Sequence, residues 1–136
     1  NSSSSSSIDT AANWNSTTLP TISDTVQFRY PHSSPYPLTG DAFTVQCIRF
    51  YDNTILDLGA GKSFLVDSDS TNAKVFIYGT DKTVELRSGT FGVGDNGNRF
   101  FLGDGDAVKG TLIATGKDSI LRTALKAALK VDKDSI

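Results

Sequence analysis

An all-β fold is expected of this sequence: a parallel β-helix (β-solenoid) with rungs of about 22 residues, the alternative being a β-sandwich. Three observations carry that expectation. The acidic residues are fourteen Asp against a single Glu, Glu85, and Ser and Thr together number thirty-one of 136 residues. That balance disfavours long helices and favours turns and short strands. From Thr54 onward short apolar runs recur every nine to twelve residues, separated by Gly, Asp, Asn, Ser and Lys. Set in rows of about twenty-two, at 54–73, 74–96 and 97–118, these runs align as a weak internal repeat. Short strands at that spacing, with coils stacking at about 4.8 Å, make a solenoid. A sandwich shares the turn frequency.

Three parts are expected along the chain: a Ser-rich flexible arm over 1–7, capping strands with a Pro-rich loop over 8–53, and solenoid rungs over 54–136. Trp14, the single tryptophan, is expected to close the end of the core with Ile8 and Leu19. In 25–30 the residues Val26, Phe28 and Tyr30 alternate as one buried face. The segment 31–37 holds three of the four prolines, which remove ladder donors and so mark a loop. In 43–51 the apolar phase shifts between Cys47 and Ile48, which predicts a bulge or bend near Cys47. The apolar runs that follow are 55–58, 63–66, 75–78, 84–86, 91–93, 100–102 and 111–114. In 119–136 both a helical stripe and an alternating strand fit, and the repeat context favours strand. The start at Asn1 and the apolar finish at Ile136 suggest a processed or excised chain.

Several function classes are disfavoured. The net charge of −2 argues against nucleic acid or an anionic membrane as the main partner. No apolar run approaches the ~20 residues of a membrane-spanning helix. One cysteine, Cys47, builds neither an internal disulfide nor a cysteine zinc site, and it reads as a small buried hydrophobe. His32 is the one histidine and sits in the Pro-rich loop. Gly92, Gly94 and Gly97 match a dinucleotide fingerprint in spacing alone; no helix follows, and the segment reads as a turn. No cofactor or metal is expected.

Two groups of side chains have a chemical reading. Asp95, Asp104 and Asp106, with Arg99 and Lys109 as charge stabilisers, are the catalytic candidates, because paired carboxylates on one strand face serve acid–base hydrolysis of glycans. The same Gly103-Asp104-Gly105-Asp106 run is ordinary turn chemistry, and as a calcium loop it is incomplete. Tyr30, Tyr36, Tyr51 and Tyr78 either stack sugars on a shared face or pack in the core and rim.

Three stretches resemble a known family. These are ANWNSTTLPTISDTVQF (12–28), YPLTGDAFTVQCIRFYDNTILDLGAGKSFLV (36–66) and GTFGVGDNGNRFFLGDGDAVKGTLIATG (89–116). They resemble the passenger-type parallel β-helix domains of bacterial autotransporters and related surface proteins. The resemblance implies a non-enzymatic structural or adhesive module, extracellular or on the cell surface, as a fragment, a small relative or a subunit. The ends of a solenoid expose unpaired backbone groups. The expected assembly ends are therefore Ser2, Ser3 and Ser4 on the arm and Leu129, Val131 and Ile136 at the finish, joining copies of the chain into a filament. Other surface proteins or glycans are further expected partners. The alternatives are a carbohydrate-binding or polysaccharide-cleaving β-helix and a phage appendage domain.

Overall fold

The computed structural model describes residues 7–29, 34–68, 74–78, 82–94, 99–102, 110–115, 119–122 and 128–131. Ser2, Ser3, Ser4, Tyr30, His32, Asp95, Asp104, Asp106, Lys109 and Ile136 lie outside them.

The chain is all-β. Strands are β1 (Thr25–Phe28), β2 (Ala42–Val45), β3 (Cys47–Phe50), β4 (Thr54–Asp57), β5 (Ser63–Val66), β6 (Lys74–Ile77), β7 (Lys82–Val93), β8 (Arg99–Leu102), β9 (Gly110–Ala114), β10 (Ser119–Arg122) and β11 (Ala128–Val131). Among the described residues the helical content is one 3-10 turn, Ala11–Asn13. The bend read from the phase of 43–51 falls at Gln46, which separates β2 from β3. The ambiguous 119–131 region supplies the two strands β10 and β11.

Among the described residues every strand pairing is parallel, and the pairings form three ladders. The first runs β1-β3-β6-β8-β11 as a five-stranded sheet. The second joins β2, β5, the end of β7 and β10, and the third joins β4, the start of β7 and β9. Tyr36 extends the third ladder by one bridge to Leu56. Read along the chain, the three ladders are entered in one unchanging cyclic order from β1 to β11. The repeat is less even than rows of twenty-two. Thr25 opposite Cys47 is an offset of 22, and Ala42 opposite Ser63 is one of 21. Thereafter Cys47 faces Lys74, an offset of 27, and Gly89 faces Ser119, an offset of 30. Polar residues inserted between short strands lengthen the later turns without moving the strands out of register.

Register converts the alternating pattern into columns of like side chains. Val26, Ile48 and Val75 form one column and Phe28, Phe50 and Ile77 another, all buried. From the second ladder come Phe43, Phe64 and Phe91, with Val45, Val66 and Val93 beside them. Ring centroids are 5.6 Å apart for Phe43–Phe64, 5.9 Å for Phe64–Phe91 and 4.9 Å for Phe28–Phe50. Phe28–Phe64 at 6.3 Å and Phe50–Phe91 at 5.8 Å knit the two stacks together. Each such pair adds about 0.5–1.5 kcal/mol beyond the area it buries. Gly92 lies inside β7 and is buried, so this glycine belongs to a packed strand; Gly94 follows the end of β7, and Gly97 lies outside the described residues.

The N-terminal segment closes one end of this core. Trp14 stands edge-on to Phe28 at 6.0 Å and stacks on Phe43 at 6.5 Å, and its indole N–H donates to the Ile8 carbonyl at 2.9 Å. Leu19, expected beside it, is 44 % exposed. The chain turns away from the core at Thr17 (φ 56°), and a second turn forms where the Thr21 N–H and hydroxyl donate to the Asp24 carboxylate. The segment is held by Asp9, whose carboxylate accepts from the Thr39 N–H at 3.0 Å, the Gly40 N–H at 2.6 Å and the Ser7 hydroxyl.

Burial pushes the Asp9 pKa up, but the hydrogen bonds from Ser7, Thr39 and Gly40 outweigh it and hold the carboxyl well below the usual range. The folded-state pKa is therefore depressed. The stabilisation is complete above the ordinary value of 3.8 and is lost as pH falls below it. Asp9→Asn is expected to lower Tm at neutral pH and loosen the cap, shifting Trp14 emission to the red. The gap between variant and parent is expected to close as the pH of the melts drops below about 4.

Candidate functional site

The outward face of the five-stranded sheet carries the most distinctive side chains. On β1, β3 and β6 alternate residues point into the core, leaving Thr25 and Gln27, Cys47 and Arg49, and Lys74 and Phe76 on the other parity. Gln27, Arg49 and Phe76 share one column by register. Arg29, Tyr51 and Tyr78 continue the face just past the strand ends, where the Tyr51 N–H donates to Phe28 O and the Tyr78 N–H to Phe50 O, both at 2.8 Å.

The members of this face stack on one another. Phe76 and Tyr78 lie 4.9 Å apart at an interplanar angle of 9°, and Tyr51 and Tyr78 lie 5.4 Å apart at 27°. The Arg29 guanidinium sits 5.2 Å from the Tyr51 ring centre, and that of Arg49 sits 5.8 Å from Phe76. Arg29 Nε also donates to Gln27 Oε1 at 2.6 Å. Arg49 Nε is buried without a hydrogen-bond partner among the described residues, and the guanidinium lies against the Phe76 ring and beside the Cys47 side chain. Cations over rings of this kind gain about 0.5–2 kcal/mol, more as water is excluded. Tyr51, Phe76 and Tyr78 are half-buried. Cys47, on the same face, is buried.

Charge is segregated. Arg29, Arg49 and Lys74 lie on this face. Those are three of the chain's 13 Lys and Arg. No Asp or Glu takes a corresponding position among the described residues, although the chain has 15 of them. Carboxylates elsewhere are matched to neighbours. Glu85 pairs with Arg87 at 3.0 Å and accepts from the Thr115 hydroxyl. The Arg87 hydrogen bond lowers the Glu85 pKa. Asp52 pairs with Lys82 at 3.0 Å and is lowered chiefly by that contact. Asp57 accepts from the Ser88 hydroxyl.

Of the tyrosines considered together in the sequence, Tyr51 and Tyr78 meet on this face. Tyr36 bridges to Leu56 and packs against Phe28 at 5.3 Å, where burial raises its pKa. Leu129 and Val131 lie on β11, at the edge of the five-stranded sheet. Among the described residues no three His, Cys, Asp or Glu side chains stand together as a metal site, and no helix is long and apolar enough to cross a membrane. No family model, curated protein or solved structure matches the chain.

Proposed function

We propose that the chain is a short parallel β-solenoid that serves as a non-enzymatic structural or adhesive module of a surface protein, the kind of module its autotransporter resemblance implies. The observation that carries this reading is the cyclic order of the three parallel ladders, with core columns continuous from coil to coil. Sandwiches are built from antiparallel sheets, and the pairings here are parallel throughout. Such a body is a rod whose two ends differ. One end carries β1 and the Trp14 cap; at the other, β11 is the edge strand of the five-stranded sheet among the described residues.

An edge strand keeps one row of backbone groups available for a further parallel strand. Unlike ends joined head to tail make a contact that does not close, and such a contact grows into a filament. The β11 edge, with Leu129 and Val131, is the proposed growing face. Negative-stain electron microscopy of the purified chain across a concentration series tests this. Unbranched filaments whose axial repeat is a multiple of about 4.8 Å are expected. Monodisperse particles at every concentration would remove assembly from the proposal.

A further inference from the structure

We propose that Asn15 is an N-glycosylation acceptor, modified by transfer of a saccharide from a sugar diphosphate donor to its side-chain amide nitrogen. The inference rests on the surface setting of the reading above, and it does not require end-to-end assembly.

Three observations lead to it. Asn15-Ser16-Thr17 is an N-x-Ser/Thr acceptor triplet with no proline at its centre, and all three residues are exposed in the turn that follows the Trp14 cap. The Asn15 amide is also unengaged. The Asn13 amide donates to the Ser7 carbonyl at 2.7 Å, and the Asn53 side-chain oxygen accepts from the Thr83 N–H at 2.8 Å. Asn15 makes no side-chain hydrogen bond among the described residues, so its amide reacts without breaking a contact.

The loop that presents the triplet is held only by itself. Over 15–23 the hydrogen bonds reach no further than three positions. The Thr17 N–H donates to Trp14 O at 2.9 Å, the Thr17 hydroxyl to Ser16 O at 2.7 Å, and the Thr21 N–H to the Asp24 carboxylate at 2.7 Å. Among the described residues no ladder begins before Thr25. A transferase must take the triplet into its own cleft. Lifting this loop breaks local bonds alone, while the Trp14 cap and the ladders stay in place.

The same loop leaves apolar surface in water. Leu19 is 44 % and Ile22 50 % exposed, two of the three large hydrophobic side chains exposed among the described residues. A saccharide is bulky and hydrated, and one on Asn15 shields apolar side chains that the fold leaves uncovered.

In the transfer the Asn15 amide nitrogen attacks the anomeric carbon of the donor sugar. The carbon–nitrogen bond forms, the carbon–oxygen bond to the diphosphate breaks, and the diphosphate leaves with that electron pair. The amide proton passes to a base of the transferase, and nothing is oxidised or reduced. A nucleotide sugar and a lipid-linked saccharide share this anomeric diphosphate.

Two reactions on the purified full chain test the proposal, read by intact mass and peptide mapping. One uses an asparagine N-glycosyltransferase with UDP-glucose, the other an oligosaccharyltransferase with a lipid-linked donor. A saccharide on Asn15 is expected in at least one, and the productive reaction identifies the donor. Mapping scores the second triplet, Asn1-Ser2-Ser3, by itself. The folded chain is expected to be modified at a rate close to that of a synthetic peptide of residues 10–24. Asn15→Gln and Thr17→Ala are each expected to abolish modification of the loop, Asn15→Gln with an unchanged thermal melt. The modified chain is expected to bind less anilinonaphthalene sulfonate than the unmodified one, and a Leu19→Ser, Ile22→Ser double variant to lose the same dye binding without sugar. No saccharide on Asn15 in either reaction, or a peptide that is modified while the folded chain is not, would overturn the proposal. Dye binding that sugar leaves unchanged would overturn the shielding role. Filaments from a chain whose Asn15 resists both enzymes would sink this inference alone. Asn15 modified in a chain that stays monomeric would remove the assembly and keep the site.

Discussion

Phe64→Ala is expected to cost about 3–5 kcal/mol and to leave the chain largely unfolded near its present melting temperature. Phe64 is fully buried on β5, between Phe43 on β2 and Phe91 in the second half of β7, and it also meets Phe28 from the first ladder. Truncation removes contacts to three rings at once. The cavity cannot readily collapse, because its walls are side chains fixed by parallel backbone ladders above and below. Domains of this size are stable by only about 5–15 kcal/mol, so the loss is a large share of the total. A fall in Tm of roughly 10–20 °C in a calorimetric scan is the expected reading. Phe64→Leu, which retains most of the volume, is expected to recover most of it.

The second large effect is at Gly89. This residue has a φ of 86° at the point where β7 leaves the third ladder for the second. A Cβ there would stand 2.8 Å from the Leu58 Cβ and 2.9 Å from the carbonyl oxygens of Gly59 and Lys62. Two of those atoms are backbone, in a turn tied down because the Lys62 ammonium donates to the carbonyls of Leu38 at 2.7 Å and Thr39 at 3.1 Å. Relief requires moving that turn away from β7. Gly89→Ala is therefore expected to cost about 2–4 kcal/mol, combining left-handed backbone strain with the clash. Gly61→Ala is the matched control. Gly61 also has a positive φ, 77°, but no neighbour within 4 Å of the added atom. Strain alone acts there, so about 1 kcal/mol is expected. Urea titrations of both variants separate the close approach from the backbone term by their difference.

How much of this was legible before any coordinates depended on the range of the interaction. The strands were legible because β-branched and aromatic residues at period two announce a half-buried strand locally. The runs 63–66 and 111–114 coincide with β5 and the last four residues of β9. The break between β2 and β3 was legible as the phase shift beside Cys47. The uneven repeat was not, because inserted polar residues change turn length without changing any strand pattern. Nor was the arginine–aromatic face. Arg49 and Phe76 are 27 residues apart, and only the β3–β6 register sets them side by side. Grouping by residue type singled out four tyrosines. Register brings two of them together and adds Phe76 and two arginines, while Tyr36 serves the core. Asp95, Asp104 and Asp106 fall outside the described residues.

Everything proposed here depends on the parallel ladders, and their register is directly measurable. Nuclear Overhauser contacts between aromatic and methyl protons in a uniformly labelled sample report it at single-residue resolution. Contacts are expected from Phe28 to Phe50 and from Phe50 to Ile77, together with Phe43 to Phe64 and Phe64 to Phe91, each set advancing in the same chain direction. Cross-strand contacts that run in opposite directions, joining neighbouring strands such as β2 and β3 or β5 and β6 as hairpins, would contradict the account at its base.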